Sequence, residues 1–474
     1  MQRLSPADAA FIYMETPLVH MHVTGVLIID PSTSATPLDV RAIRDHLAER
    51  VRAIPTFRRR LLTTPLGIDH PVWVNDPDLD IDRHVHVERL RRPGRTTDLA
   101  TYVGNYAAEQ LDRSRPLWDM VILDGLADGT IAVITKMHHS AVDGVTGNDL
   151  MAQLVDLTPD AAPTATPDLP AARPVPGPVG LVFAGLRSRA LDPLRTVRAA
   201  GRTAGSLVRL ANMVLRPGAE GGGAARPFDA PRTAFNRSLT PRRSVAFAHS
   251  SLDDLRFIKA TFGATVNDAF LAACTLSLRR YLIAGGERCD RPLVASVPIS
   301  VHGASSSNGA AANQVSNMFV RLPVNETDPV EVLRRVAGDT RDAKRVHGAI
   351  GADMIGDVTE LTPPGLFNLA VRTYSRAGLA ERLPPIHNLV VSNVPGPPIP
   401  LYVAGAQVAA IYPFGPLLEG CGLNISVLSN MGHVDIGVIA CPDIAPRVDD
   451  VASGIVDAIA ELRAAANAAL REAR

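Results

Sequence analysis

Two mixed α/β domains are predicted for this sequence by its length, its alternating periodicities and one abrupt break in composition. The chain has 474 residues, which at roughly 150 residues per domain suits two large domains or three small ones. Strand-like and helix-like stretches alternate on both sides of a Pro/Gly-rich segment, and that alternation reads as mixed α/β. The boundaries read from composition are 1–159 for a first domain, 160–236 for a linker and 237–474 for a second domain.

In the first domain, Val23 to Ile29 is apolar and β-branched, as a strand requires. Leu38 to Arg52 carries Val40, Ile43, Leu47 and Val51 at helical spacing. Thr101 to Leu111 reads as helix, Met120 to Leu123 and Ile131 to Met137 as buried strands, and Asn148 to Leu157 as a further helix. Asp160 to Gly180 holds six prolines among small residues and is expected to be irregular. Leu181 to Arg216 is helix-prone, and Pro217 to Pro231 is flexible again around Gly221-Gly222-Gly223. In the second domain Val245 to Ala248, Leu293 to Ile299, Asn317 to Val324, His387 to Ser392, Leu423 to Leu428 and Val434 to Ile439 read as strands. Val266 to Ile283 and Val448 to Ala469 read as long helices.

Composition excludes several classes of function. Forty-eight basic residues face 48 acidic ones, which argues against a nucleic-acid binder, and 4% aromatics are too few for base-stacking platforms. Cys274, Cys289, Cys421 and Cys441 lie far apart without a C-x-x-C, as expected of a reducing cytoplasm rather than a disulfide or zinc framework. Met1 to Pro17 contains Asp8 and Glu15 and lacks an apolar signal core. The longest uncharged stretch, Asn388 to Leu418, is broken by prolines, so no membrane span is expected. The location expected is cytoplasmic, peripheral at the inner membrane face or a lipid-inclusion surface.

One string carries chemistry. An apolar strand ends in Thr135-Lys136-Met137-His138-His139-Ser140-Ala141-Val142-Asp143-Gly144. Strand ends open onto clefts in α/β proteins. A neutral imidazole at His139 can accept a proton near pH 7, Asp143 can hold the loop or orient the ring, and Gly144 permits a sharp reversal. A lone strand histidine is more often a satisfied core residue. Metal ligation by His138 and His139 is disfavoured, because neighbours on a strand point to opposite faces. His20 with His22, and His84 with His86, share strand faces but lack an identifiable carboxylate or thiol partner, so no metal is expected.

At this string the sequence resembles the CoA-dependent acyltransferase superfamily of chloramphenicol acetyltransferases, plant acyltransferases and peptide-synthetase condensation domains. It resembles more closely the bacterial wax ester synthase/acyl-CoA:diacylglycerol acyltransferase family, over nearly the whole chain. The likeness includes Leu4-Ser5-Pro6-x-Asp8, Met21-His22-Val23 and Arg115-Pro116-Leu117-Trp118. It continues through Gly263-Ala264-Thr265-Val266-Asn267-Asp268, Val297-Pro298-Ile299-Ser300 and Ser392-Asn393-Val394-Pro395-Gly396-Pro397. The chain departs from the family at Ala312-Asn313 and at Ser429-Asn430-Met431-Gly432, where a tyrosine is common.

The resemblance implies two chloramphenicol-acetyltransferase-like domains, with a tunnel at their interface reaching His139 from opposite sides and partly lined by Asn388 to Leu418. It implies O-acyl transfer from acyl-CoA, a co-substrate, to diacylglycerol or a fatty alcohol, giving triacylglycerol or a wax ester without a cofactor. His139 would be the general base, Asp143 mainly structural and His138 supporting. Asn267 and Asp268 would matter for activity, either by capping the following helix or by shaping the cleft. Pro116, Leu117 and Trp118 are either core or an acyl-chain or acceptor contact, and Asn393 either ends a strand or approaches the acceptor or thioester.

Between Arg187 and Arg216 seven arginines face only Asp192 and interleave with Leu191, Leu194, Val197, Leu207, Leu210 and Val214. That pattern suits an anionic membrane or lipid-droplet surface, a solvated connector, or a grip on CoA phosphates. Alternatives to diacylglycerol acylation are another acceptor, an acyl-carrier donor, or a catalytically silent lipid-surface protein.

Overall fold

The computed structural model describes residues 1–141, 153–161, 177–191, 225, 228–300, 315–350 and 364–472. Asp143, Gly144 and the arginines from Arg195 to Arg216 lie outside the described residues. In chain order the strands are β1 (Gln2–Arg3), β2 (His22–Asp30), β3 (Arg59–Leu62), β4 (Val72–Asn75) and β5 (Val85–Arg89). Then come β6 (Trp118–Asp124), β7 (Ile131–His138), β8 (Ser244–Ser251), β9 (Leu293–Ser300) and β10 (Val315–Leu322). The last five are β11 (Leu389–Pro395), β12 (Tyr402–Val403), β13 (Ala406–Phe414), β14 (Leu423–Asn430) and β15 (His433–Ala440).

They form a small sheet, β1-β4-β3, and two six-stranded sheets ordered β12-β13-β2-β7-β6-β5 and β10-β9-β11-β14-β15-β8. The sheets do not divide the chain strictly. β12 and β13, from beyond residue 237, complete the first sheet, with β13 antiparallel to β2. Within that sheet β2 and β7 pair so that His22 stands opposite His138, and β6 sets Trp118 opposite Met137.

The expected helix over 38–52 forms as Val40–Ala53, burying Ile43, Leu47, Ala48 and Val51; the Asp39 side chain caps it by accepting from the Ala42 N–H at 2.8 Å. The next helix runs Thr96–Ala108 rather than 101–111. Its end is set from outside: the buried Lys136 ammonium on β7 donates to the Tyr106 carbonyl at 2.8 Å and the Glu109 carbonyl at 3.1 Å. A cation there satisfies carbonyls that the helix leaves unpaired. The helix Pro178–Leu191 begins inside the segment expected to be irregular, since proline is tolerated in a helix's first turn.

In the second half, Val266–Ala284 is buried nearly all round, and Val448–Glu472 packs along it. Their approach is close. A Cβ on Gly454 would stand 2.7 Å from Ser277 Oγ. Phe270, Leu271, Val391, Ile425 and Ile436 belong to the large core beneath them.

The two six-stranded sheets meet along β13, which touches β14 and β15. The buried Asp435 carboxylate accepts from the Ile411 N–H at 2.8 Å and from His249 Nδ1 at 2.7 Å, tying three strands. Beside it a Cβ on Gly437 would lie 2.1 Å from the Pro413 carbonyl oxygen. The uncharged stretch 388–418 is thus three strands in two sheets, β11 in one and β12 and β13 in the other, and β13 lies at their junction.

Candidate active site

β7 ends at His138, and the chain turns through one 3-10 turn, His139–Ala141. The His139 N–H donates to the Met21 carbonyl at 2.8 Å, which fixes the backbone at the turn. Its ring is stacked on Phe11, with centroids 4.0 Å apart and planes inclined by 24°. Burial, with His138 as a lesser cause, pushes the His139 pKa down to about 4. The imidazole is therefore neutral at pH 7 and able to accept a proton.

His138, the last residue of β7, is 1% exposed. Its Nδ1 accepts from the Ser140 N–H at 3.1 Å and lies 2.7 Å from Ser140 Oγ. The ring proton therefore belongs on Nε2, which faces Glu15 Oε2 at 3.5 Å. Burial lowers the His138 pKa against the opposing pull of Glu15. Burial would raise the Glu15 carboxyl, but the hydrogen bonding and charge of His138 and Arg113 outweigh it and hold the pKa below its ordinary value. Arg113 pairs with Glu15 through Nε at 3.0 Å and also donates to the Ile12 carbonyl at 3.3 Å.

Glu15, Phe11 and Arg113 were not among the residues expected from sequence, while Met21 and Ser140 stood there only as members of the quoted strings. One signal was available: Phe11 and Glu15 are four apart, hence on one face of the helix Pro6–Met14 and its cap. The pairing with Arg113 spans 98 residues and no local pattern announces it.

Other expected residues separate into groups. Leu117 is buried with Leu4, Ile12, Tyr13 and Ala141, and its carbonyl accepts from the His138 N–H at 3.0 Å. Pro116 is buried and bridges to Arg60 in β3. Trp118 lies in a different core cluster, donating from Nε1 to the Phe57 carbonyl at 2.8 Å and stacking on His84 at 4.4 Å. Asp268 and Thr265 form a reciprocal cap at the start of Val266–Ala284, at 2.9 and 3.1 Å. Asn267 and Asn393 are brought together: Asn393 Nδ2 donates to Asn267 Oδ1 at 3.3 Å. Met137 beside His138 and Val394 beside Asn393 pack against a common apolar cluster, so the two motif-bearing strands converge.

His20 and His22 lie with ring centroids 5.5 Å apart, and His20 Nε2 donates to the Pro17 carbonyl at 3.0 Å. Burial lowers both pKa values, that of His22 strongly. His84 Nδ1 donates to the Trp118 carbonyl at 2.8 Å, and His86 Nε2 lies 3.1 Å from Asp119. Among the described residues no group of three or more His, Cys, Asp or Glu side chains is arranged to hold a metal ion.

Residues 4–270 match the wax ester synthase/diacylglycerol acyltransferase catalytic domain, and residues 311–463 match the WS/DGAT C-terminal domain. A Mycobacterium tuberculosis (strain ATCC 25618 / H37Rv) protein named as a diacylglycerol O-acyltransferase is 38% identical over 98% of this chain and 90% of its own length. A second from the same strain, also so named, is 32% identical over 98% of this chain and 99% of its own. The wax ester synthase/diacylglycerol acyltransferase from Marinobacter aquaeolei VT8 superposes with a TM-score of 0.70 at 25% identity, covering 98% of this chain and 100% of that one. The first condensation domain of the calcium-dependent antibiotic synthetase shares the fold, with a TM-score of 0.58 at 17% identity over 98% of this chain and 96% of that one. With both family domains matched in order and its paired histidines at the end of β7, the chain belongs to the wax ester synthase/diacylglycerol acyltransferase family, of the two-domain chloramphenicol-acetyltransferase type.

Proposed function

We propose that this acyltransferase moves a long-chain fatty acyl group from acyl-CoA to the free hydroxyl of diacylglycerol, forming triacylglycerol, with fatty alcohols as second acceptors. The observation that carries the reading is the placement of His139 at the end of β7, its ring stacked on Phe11 and its N–H bonded to the Met21 carbonyl. Family membership and the names of the Mycobacterium tuberculosis relatives support the substrate class.

The step is general-base catalysis. His139 takes the acceptor's hydroxyl proton as its oxygen bonds to the thioester carbonyl carbon. The tetrahedral intermediate then expels the CoA sulfur, which leaves as thiol with the proton returned by the imidazolium. A positioned base contributes ~10²–10⁴-fold to such a step. The remainder is attributed to alignment of two large lipids and to donors aimed at the oxyanion. Residues 1–159 supply the base in this reading, and 237–474 supply the facing wall through Asn267 and Asn393. Asp143 and Gly144 are assigned supporting roles beside the base. No cofactor or metal takes part.

The arginines of 187–216 are assigned to an anionic lipid surface, which suits an apolar acceptor. Arg187, on the described part of that segment, is exposed. No helix among the described residues is long and apolar enough to cross a membrane, so contact in this reading is peripheral.

The test is thiol release from palmitoyl-CoA with diacylglycerol and with hexadecanol, in wild type and His139→Ala, with esters identified by chromatography. Acceptor-dependent release that collapses in the variant is the expected result. Equal release in both proteins would refute the role of His139.

A further inference from the structure

We infer that Glu15 is a positioning residue for acyl transfer, acting through His138 to hold the turn that presents His139. The inference rests on the reading of His139 as the base. It comes from an arrangement in which one short helix and its cap grip both histidines of the motif. Phe11, on the helix Pro6–Met14, stacks on His139, and Glu15, its C-cap, faces His138.

The chain of contacts runs in one direction. Arg113 fastens the Glu15 carboxylate and the Ile12 carbonyl at the helix end. The carboxylate faces Nε2 of His138, which favours the tautomer with its proton there. That leaves Nδ1 as an acceptor, and it takes the Ser140 N–H. Ser140 is the middle residue of the turn His139–Ala141, so this bond sets the backbone from which the His139 ring projects. A His138 ring with its proton on Nδ1 would turn an N–H toward the Ser140 N–H, and the turn would open.

Charge adds to geometry. When His139 takes the acceptor's proton, a cation forms at a half-buried ring beside the buried, neutral His138. Glu15, on the far side of His138, supplies a negative charge in that region. A carboxylate behind a histidine is a general way to fix a tautomer and support a developing imidazolium.

The role is tested with Glu15→Gln, His138→Gln, the double variant and Glu15→Asp, each checked for a cooperative melt. In Glu15→Gln, kcat is expected to fall by roughly ten- to a hundredfold, as when a carboxylate that orients a functional histidine is removed, with KM for both substrates within about twofold. On a His138→Gln background the Glu15→Gln change is expected to add little, because the two act as one unit. Nitrogen-15 NMR of labelled histidine is expected to show the Nε2–H tautomer at His138 in the wild type and a mixed population in Glu15→Gln. Should Glu15→Gln fail to fold, Glu15→Asp keeps the charge beside Arg113 while withdrawing it from His138, and the same kcat loss and tautomer change are expected. Full kcat in the folded Glu15 variants, additive losses in the double variant, or an unchanged tautomer would overturn the proposal. His139→Ala separates the two ideas. If it abolishes turnover while the Glu15 variants keep theirs, only the positioning role falls; if it retains turnover, the base assignment falls first and takes this role with it.

Discussion

Phe11 lies flat against His139, ring centroids 4.0 Å apart, and thereby walls one side of the imidazole from water. The low pKa of His139 has burial as its main cause, so this contact links the helix Pro6–Met14 to the protonation state of the proposed base. Replacing Phe11 with Ala admits water and should move the His139 pKa up from about 4 toward the ordinary value of ~6.5. A base loses activity as pH falls through its pKa. The acid limb of kcat/KM against pH should therefore shift upward in Phe11→Ala, with little change at pH 7 and roughly a tenfold loss near pH 5.5 for a pKa of ~6.5. An acid limb at the wild-type position would show that the ring does not control the base.

Stability should fall with acid over a defined window. His22, His138 and His139 all have pKa values depressed by burial in the folded chain. The unfolded chain binds protons near ~pH 6.5, whereas folded His139 does so only near pH 4. Their contribution is thus complete above about pH 6.5 and is lost progressively as pH drops toward the folded values. Calorimetric melts between pH 7.5 and 4.5 should show Tm declining through this range. A His139→Asn protein should show a shallower decline.

The junction between the two large sheets should be sensitive to single atoms. Asp435→Ala removes the acceptor for the Ile411 N–H and for His249, and a loss of about 2–3 kcal/mol is expected from the orphaned donors. The His249 pKa, raised by its bond to Asp435 against the effect of burial, should drop toward its ordinary value. That ion-pair contribution is full below the unfolded pKa and fades as pH rises through the raised one. Gly437→Ala drives a methyl into the Pro413 carbonyl and should cost a further ~2 kcal/mol or more. Urea titrations at pH 6 measure both.

Trp118→Phe discriminates packing from substrate contact. The indole N–H is spent on the Phe57 carbonyl and the ring is sandwiched with His84. A loss of about 1–2 kcal/mol in stability is expected from the unpaired carbonyl, with the ratio of diacylglycerol to hexadecanol acylation unchanged. A changed acceptor ratio without destabilisation would make Trp118 a substrate contact.

Where local periodicity governs, the sequence was readable. The helix Val40–Ala53 and the strands β2, β6, β7, β14 and β15 arise from apolar spacing that survives packing. β13 was hidden because its partner, β2, precedes it by most of the chain, and a run such as Ala406–Phe414 carries no mark of which sheet it joins. The Thr96–Ala108 helix ended early because a lysine from another element satisfies its last carbonyls. The same limit applies at the candidate site. His138 and His139 stood out as a string, whereas Glu15 gains meaning only through Arg113 and His138, neither of them near it in sequence.

The seat of β13 beside β2 also orders events at the ribosome. β2 is complete at Asp30, but the strand that covers it begins at Ala406. At ~5–20 residues per second, synthesis of the intervening chain takes on the order of tens of seconds. During that interval the nascent amino-terminal half holds an apolar strand with one unpaired row of backbone donors and acceptors. A fragment truncated in the linker would keep that row permanently, and its copies would template one another into aggregates.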